Sequence, residues 1–314
     1  MFDLVVIGGG PAGLSAALYA ARKELKVVVV ERGLVGGAVV LTPHIENYPG
    51  VEPVSGAELG SRMEKQVRDL GVDFKQAEVV KITKNEGGFA LALQDGSFID
   101  AKSLVFATGA EHKKLGAKGE KEFFGKGVFY CATCDAPLFK GKAVAVAGGG
   151  NTALTSAIML ADIASKVYLI HRRNELRADA ILVEQAKKKG IEFLLNKNIL
   201  EIRGSRFVES VALEDADSKQ PSEVKVEGVL ISIGVTPSSS LAQGIGAEIS
   251  EKGFIKVDEK QATTCLGVFA AGDCTGKFLQ VVWAAAEGAL AATSAFEFIT
   301  GSQAKADYRH LKKN

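Results

Sequence analysis

Along residues 4–30 the chain reads LVVIGGGPAGLSAALYAARKELKVVVV. That is an apolar run of strand length, a glycine turn, an Ala-rich stretch of helical length and a second, β-branched run. Residues 143–170, AVAVAGGGNTALTSAIMLADIASKVYLI, repeat the succession. The segments after each copy also correspond. Residues 56–70 space their apolar positions as an amphipathic helix. Short alternating segments come next, EVVKIT, GFALALQ and SFIDA, and then a buried strand closed by small residues, LVFATG. After the second copy, a helix is predicted over 179–189. Short segments ILEIRG, VESVALED and EVKVEG come after it, and then a buried strand, VLISIG. Two copies make two related units and not a solenoid. Strands alternating with helices predict an α/β fold with doubly wound parallel sheets.

The turn in the first copy is Gly8-Gly9-Gly10-Pro11-Ala12-Gly13, a G-x-G-x-x-G between a strand and a helix. In such a turn Gly8 makes the tight bend and Gly10 lets the backbone approach a pyrophosphate. Gly13 lets the helix lie close to the strand. The free N–H groups at the helix start then face the phosphates, with Pro11 and Ala12 in its first turn. The second copy has Gly148, Gly150, Asn151, Thr152 and Ala153 in the matching places, with Ala at the third position. Glu31 ends the second strand of the first copy, and His171 holds the same slot in the second, followed by Arg172 and Arg173. A carboxylate accepts a hydrogen bond from a free ribose 2′-OH and repels a 2′-phosphate, whereas arginine does the reverse. The first site is therefore expected to take FAD or NAD, and the second NADPH, with Arg177 joining the other arginines. The competing reading of HRRNELR is a solvated basic face.

With 314 residues, 47% hydrophobic and 24% charged, the chain has room for two domains with a core each. A net charge of +1 gives no broad basic field for nucleic acid or an anionic membrane. The N-terminus runs straight into a strand and shows no signal-peptide pattern. Residues 281–299 are apolar but Ala-rich and are interrupted by Glu287 and Glu297, so they predict a buried helix and not a membrane span. A cytoplasmic location is expected.

Only four cysteines are present, two of them in CATCD, residues 131–135. Half a zinc site, a structural staple and a redox pair are the three readings. Zinc needs further ligands, but Cys265 and Cys274 are distant and His44, His112, His171 and His310 form no ligand pattern. A lasting staple is unexpected in a cytosolic chain. The redox dithiol is favoured: C-x-x-C brings two sulfurs within bonding reach, and Asp135 can supply or take the proton that exchange requires.

With these pieces in place, nearly the whole chain resembles the low-molecular-weight thioredoxin reductases. The matching stretches, in order, are GGGPAGLSAA, Gly36-Gly37, ENYPG, ATG at 107–109, CATCD, GGGNTA, HRRNELRA and GVFAAGDC. The resemblance implies two Rossmann-like, three-layer domains, one inserted into the other. Residues 1–112 and 242–314 would bind FAD, and 113–241 would bind NADPH and carry the C-x-x-C. It further implies Asp273, after Gly272, on the flavin ribitol, and Gln280 and Val281 along the isoalloxazine, with Asn47 also facing the flavin. Val79, Thr108 and Gly109 complete the implied FAD set. Cys134 would be the flavin-proximal sulfur, Cys131 the one that attacks the partner's disulfide, and Asp135 the general acid/base. NADPH would reduce the flavin, the flavin the Cys131–Cys134 disulfide, and the dithiol a thioredoxin- or glutaredoxin-like protein. A homodimer whose NADPH domain swings relative to the FAD domain is implied as well.

The chain departs from the family pattern at Ala38, where Gln is usual, and at Asn151, Leu154, Thr155 and Ser156, where acidic residues are usual. Those last positions keep a deazaflavin- or ferredoxin-linked donor as an alternative. A dithiol oxidase and a non-catalytic nucleotide-sensing protein are the others. The reductase of an alkyl hydroperoxide system shares these motifs but normally carries an extra N-terminal redox domain. Cys265 and Cys274 are expected to be packing residues. Trp283 is expected either to wall the flavin or to make a core or dimer contact. Asp3, Glu46 and the remaining histidines are assigned no chemistry.

Overall fold

A computed structural model describes residues 1–42 and 45–302. His44, His310 and the 303–314 end of the expected second FAD segment lie outside the described residues. The chain divides into two compact units, residues 1–111 with 236–314 and residues 112–235.

Unit 1 opens with β1 (Phe2–Ile7), α1 (Pro11–Ala21) and β2 (Val27–Glu31). Next come α2 (Gly56–Arg68), β3 (Asp73–Gln76), β4 (Val79–Asn85), β5 (Gly88–Leu93) and β6 (Phe98–Phe106). Ser55 caps α2 by accepting the Glu58 N–H at 3.2 Å, which sets the start of that helix. The strands form a sheet in the order β3-β2-β1-β6-β5-β4. Successive residues of β1 and β2 serve opposite faces. Leu4, Val6, Val27 and Val29 pack under α1, while Val5, Ile7, Val28 and Val30 join Phe89, Leu91 and Phe106 on the other side. SFIDA and LVFATG, read as separate segments, run together as β6. Its first half pairs antiparallel with β5 (Ala92 opposite Phe98) and its second half parallel with β1 (Ile7 opposite Phe106).

The chain leaves unit 1 through β7 (Ala110–His112). Unit 2 then contains β8 (Val128–Phe129), α3 (Ala132–Asp135), β9 (Ala143–Ala147), α4 (Asn151–Leu160), β10 (Lys166–Ile170), α5 (Ala180–Lys188) and β11 (Glu192–Leu194). It continues with β12 (Lys197–Gly204), β13 (Val208–Asp215), β14 (Pro221–Lys225) and β15 (Gly228–Ile231). A parallel sheet in the order β11-β10-β9-β15-β8 repeats the β3-β2-β1-β6 arrangement, and β12-β13-β14 form a separate antiparallel sheet. Val144, Val146 and Leu169 face α4 and α5, whereas Ala145, Ile170 and Val229 face Ile202, Val211 and Leu213 of the smaller sheet. Helices, large sheet and small sheet make three layers. Here the joint that β6 makes continuous is broken between β14 and β15.

The chain returns through β16 (Val235–Pro237), which pairs with β7, and finishes unit 1 with α6 (Ser240–Gly244), β17 (Val268–Ala270) and α7 (Val281–Thr300). This second crossing falls at 235/236 and not at 241/242. The reason is packing: Leu241, Ala242 and Ile245 belong to the apolar core of unit 1. β17 adds to β6 in parallel. α7 lies against α1 through Ala284, Ala291, Ala292 and Ala295, and a side chain on Gly288 would strike the Ala12 carbonyl. The alanines permit that close approach. Among the described residues no helix is long and apolar enough to cross a membrane.

Candidate functional site

The glycine turn of unit 1 sits at the carboxyl ends of β1, β2, β6 and β17, the end of such sheets where ligands bind. Gly8 has φ 107°, and a Cβ there would run into the Ala107 carbonyl. A Cβ on Gly13 would run into the Gly8 carbonyl, so α1 can approach β1 this closely only with glycine. Gly10 caps α1 without any side-chain bond, Pro11 follows at the first helical position, and no acid lies in the first turn. The N–H groups of that turn are therefore free for an anion. Glu31 holds the turn from the neighbouring strand, accepting the Gly9 N–H at 2.6 Å and the Gly33 N–H at 2.7 Å. The Gly36 N–H donates to the Gly9 carbonyl at 2.8 Å, which sets the Gly36-Gly37 loop against Gly10.

Other expected FAD residues collect around this turn. Thr108 donates to the Ser238 carbonyl at 2.5 Å, and the Gly109 carbonyl accepts the Ser238 N–H at 3.1 Å. The Ala271 N–H bonds the Phe106 carbonyl, bringing Gly272 against Ala12. Asp273 opens a 3-10 turn, and burial, then the nearby Glu287 charge, raise its carboxyl to about 6. Asn47 donates to Gln280 at 3.0 Å, next to Val281 at the start of α7. Val79 differs from the rest. Its side chain is buried in the sheet core, so only its backbone is on offer to a ligand. Cys274 is fully buried with its thiol raised to about 11 by burial, and Cys265 is buried too. Asp3 ties β1 to Lys26 and Lys102, a scaffold role.

Unit 2 repeats the turn with altered chemistry. Gly148 bends against the Ser232 carbonyl as Gly8 does against that of Ala107. Gly150 caps α4 without a side-chain bond, and no acid lies in its first turn. Ala153, in the third-glycine place, is fully buried. His171 lies against Gly149, as Glu31 lies against Gly9, and its buried Nε2 has no hydrogen-bond partner among the described residues. Burial, then Arg177, Arg173 and Arg172, lower its pKa, so the imidazole is neutral near pH 7. The three arginines are exposed and make no ion pair among the described residues. The loop carrying them is fastened to the turn: the Arg177 N–H donates to the Gly149 carbonyl at 2.7 Å, and Asn151 and Asp179 exchange two bonds of 2.8 Å. Asn151 thus spends its side chain on the scaffold, while Thr152 stays exposed.

Cys131 and Cys134 are joined by a disulfide with Cα atoms 5.3 Å apart. Cys131 caps the short helix α3, and its Sγ accepts the Cys134 N–H at 3.2 Å. The loop is anchored at both ends. Before it, Tyr130 donates to buried Glu120 at 2.6 Å, and Glu120 also accepts the Leu115 and Gly116 N–H groups. After it, Phe139 stacks on Phe129 with centroids 4.4 Å apart. Asp135 is 9% exposed, and burial raises its carboxyl to about 6. No group of three or more His, Cys, Asp or Glu among the described residues is arranged to hold a metal ion.

The raised Asp135 pKa has a sign that can be measured. Folding favours the protonated acid, so its contribution is complete below the ordinary value of 3.8 and is lost as pH rises through about 6. Asp135→Asn removes that loss. Its Tm relative to the parent is expected to rise between about pH 4 and about pH 8, and an unchanged difference would contradict the assignment.

Glu287, Asp179, Glu120 and Tyr130 belong to no motif of the sequence. Only Glu287 carried a signal, as an acid inside an Ala-rich helix.

Two helix-opening glycine turns of opposite flanking charge and a C-x-x-C disulfide define a nucleotide-dependent dithiol oxidoreductase. The chain belongs to the pyridine nucleotide-disulphide oxidoreductase family, whose profile matches residues 2–288. It is 41% identical to a thioredoxin reductase of Peptoclostridium litorale, over 95% of this chain and 97% of that one. It is 37% identical to a thioredoxin reductase of Bacillus subtilis, over 95% of each. The crystal structure of thioredoxin reductase from Streptococcus pyogenes MGAS5005 matches with a TM-score of 0.91 at 34% identity, covering 96% of this chain and 99% of that one.

Proposed function

We propose that this chain is a thioredoxin-disulfide reductase that draws electrons from NADPH, passes them through FAD and delivers them from the Cys131–Cys134 pair to a thioredoxin- or glutaredoxin-like protein. The observation that carries the proposal is the Cys131–Cys134 disulfide beside a buried acid, in a chain with one acidic and one basic nucleotide turn. Unit 1 would hold FAD: the glycine turn leaves room for a pyrophosphate, and Glu31 suits an unphosphorylated ribose. Unit 2 would hold NADPH, with Arg172, Arg173 and Arg177 on the 2′-phosphate and the orphaned His171 Nε2 as a further polar contact. When bound, FAD supplies the two-electron step between a nicotinamide hydride and a disulfide.

The chain's own residues do the rest. Cys134 is the sulfur that receives electrons, and Cys131 is the sulfur released as the nucleophile. The Cys134 N–H, already directed at Cys131 Sγ, favours a thiolate there. That thiolate attacks one sulfur of the partner's disulfide and displaces the other as a thiolate. Cys134 then displaces the partner from Cys131 and restores the disulfide. Asp135, with its carboxyl raised to about 6, exchanges the proton that each released thiolate takes up. A homodimer in the cytoplasm belongs to the same proposal.

Purified protein, oxidised thioredoxin and NADPH test the proposal. NADPH consumption that depends on thioredoxin is expected, with slower turnover on NADH, whereas NADPH consumption indifferent to thioredoxin would refute the acceptor. A second reading changes only the donor. It rests on Thr155 and Ser156, uncharged on the outer side of α4, and predicts oxidation of a reduced deazaflavin or ferredoxin in place of NADPH.

A further inference from the structure

We infer that Glu287 is a positioning residue for the flavin site, a buried carboxylate whose two oxygens tie the Asp273 turn to the start of α7. The inference rests on the reading that unit 1 holds FAD with Asp273, Gln280 and Val281 on its flavin half.

Glu287 is 3% exposed on a helix that otherwise buries mostly alanine and glycine. A carboxylate there is tolerated only if donors surround it. Its Oε2 accepts the Gly272 N–H at 2.7 Å and the Thr275 hydroxyl at 3.2 Å, one on each side of Asp273. Its Oε1 accepts the Trp283 indole N–H at 2.9 Å and meets the Lys277 ammonium at 3.4 Å. Trp283 lies in the first turn of α7, just after Gln280 and Val281. One oxygen therefore holds the turn that presents Asp273, and the other holds the segment that presents Gln280.

The anchor itself does not move freely. Gly288 abuts the Ala12 carbonyl, and Ser15 donates to the Ala285 carbonyl at 2.6 Å, so this part of α7 is fixed to α1. Glu287 thereby sets the flavin-half residues in register with the glycine turn, which would hold the adenosine half. None of its donors comes from that glycine turn. The two halves of FAD should therefore respond differently to its loss.

The test uses full-length protein stripped of flavin, with FAD and ADP as separate probes. Parent, Glu287→Gln, Glu287→Ala and Trp283→Phe are titrated with each. Glu287→Ala is expected to weaken FAD by about tenfold or more, the effect of leaving the Gly272 N–H and the neighbouring donors without their charged acceptor, and to leave ADP affinity unchanged. Glu287→Gln, which keeps one acceptor oxygen, is expected in between. Trp283→Phe, at a half-exposed position, removes a single donor and is expected to weaken FAD about threefold with ADP unchanged. Trp283 is the sole tryptophan, so its emission shifts in the Glu287 variants if the indole bond is lost. Should Glu287→Ala not fold, Glu287→Gln and Trp283→Phe carry the test. Equal loss of FAD and ADP would mean a general defect and overturn the inference, as would FAD binding at parent strength in both. A parent that binds no FAD would overturn the reading of unit 1 itself.

Discussion

Cys134→Ser is expected to lower thioredoxin reduction by on the order of 10⁴-fold while NADPH oxidation by ferricyanide continues. In the proposed mechanism the Cys131–Cys134 disulfide accepts the electron pair and the thiolate it yields attacks the partner, so loss of one sulfur removes that covalent route to the partner's disulfide. The two glycine turns are held by Glu31 and by the Asn151–Asp179 pair, so the donor half of the proposed reaction is expected to survive the substitution. Cys131→Ser should fail in the same assay. The two variants separate on reduction. Cys131→Ser keeps the sulfur assigned to the flavin side, and Cys134→Ser keeps the one assigned to the partner. Only Cys134→Ser should therefore trap a mixed disulfide with a thioredoxin that presents an activated disulfide. Trapping by Cys131→Ser instead would reverse the assignment of the two sulfurs. Parent-level thioredoxin reduction by either variant would remove the C-x-x-C from the mechanism.

Replacing Arg172 and Arg173 together by alanine is expected to raise the KM for NADPH by about 100-fold and that for NADH by little. A charge-assisted bond to phosphate is worth about 1.5–3 kcal/mol. These side chains are exposed, so solvent screening places each at the low end, about tenfold apiece. The same exposure means that the parent's preference for NADPH should shrink as salt is raised. Steady-state kinetics with both nucleotides at two ionic strengths decides the matter. Equal losses for NADH and NADPH would show that the arginines support the loop and do not read the 2′-phosphate.

The repeat was legible because it is local. Strand-length apolar runs, glycine turns and the residue ending the second strand all lie within one short stretch, and the physics that fixes them is equally short-ranged. The Glu31 and His171 slots were readable for the same reason, and the structure sets both against the second glycine of their turns. The rest depended on packing between distant segments. Glu287 looked like an interruption of an apolar helix, because its partners Gly272, Thr275 and Lys277 belong to a loop that only the fold brings to it. Asn151 has the spacing of a ligand residue, but its side chain is taken by Asp179. β6 could not be read as one strand, because its two halves pair in opposite senses with different neighbours. The second crossing is hard to place from sequence because the short helix holding Ala242 looks like connector until its burial in unit 1 is seen.

Electron flow from NADPH through a flavin to the Cys131–Cys134 disulfide is the central claim of the proposed mechanism. An anaerobic titration of the purified protein with NADPH and then NADH, followed by flavin absorbance, tests it most directly. Bleaching is expected at much lower NADPH than NADH. The parent should take up about two equivalents and Cys134→Ser about one, since flavin and disulfide each hold an electron pair. A bound flavin that neither nucleotide bleaches, or equal uptake by parent and variant, would contradict the mechanism.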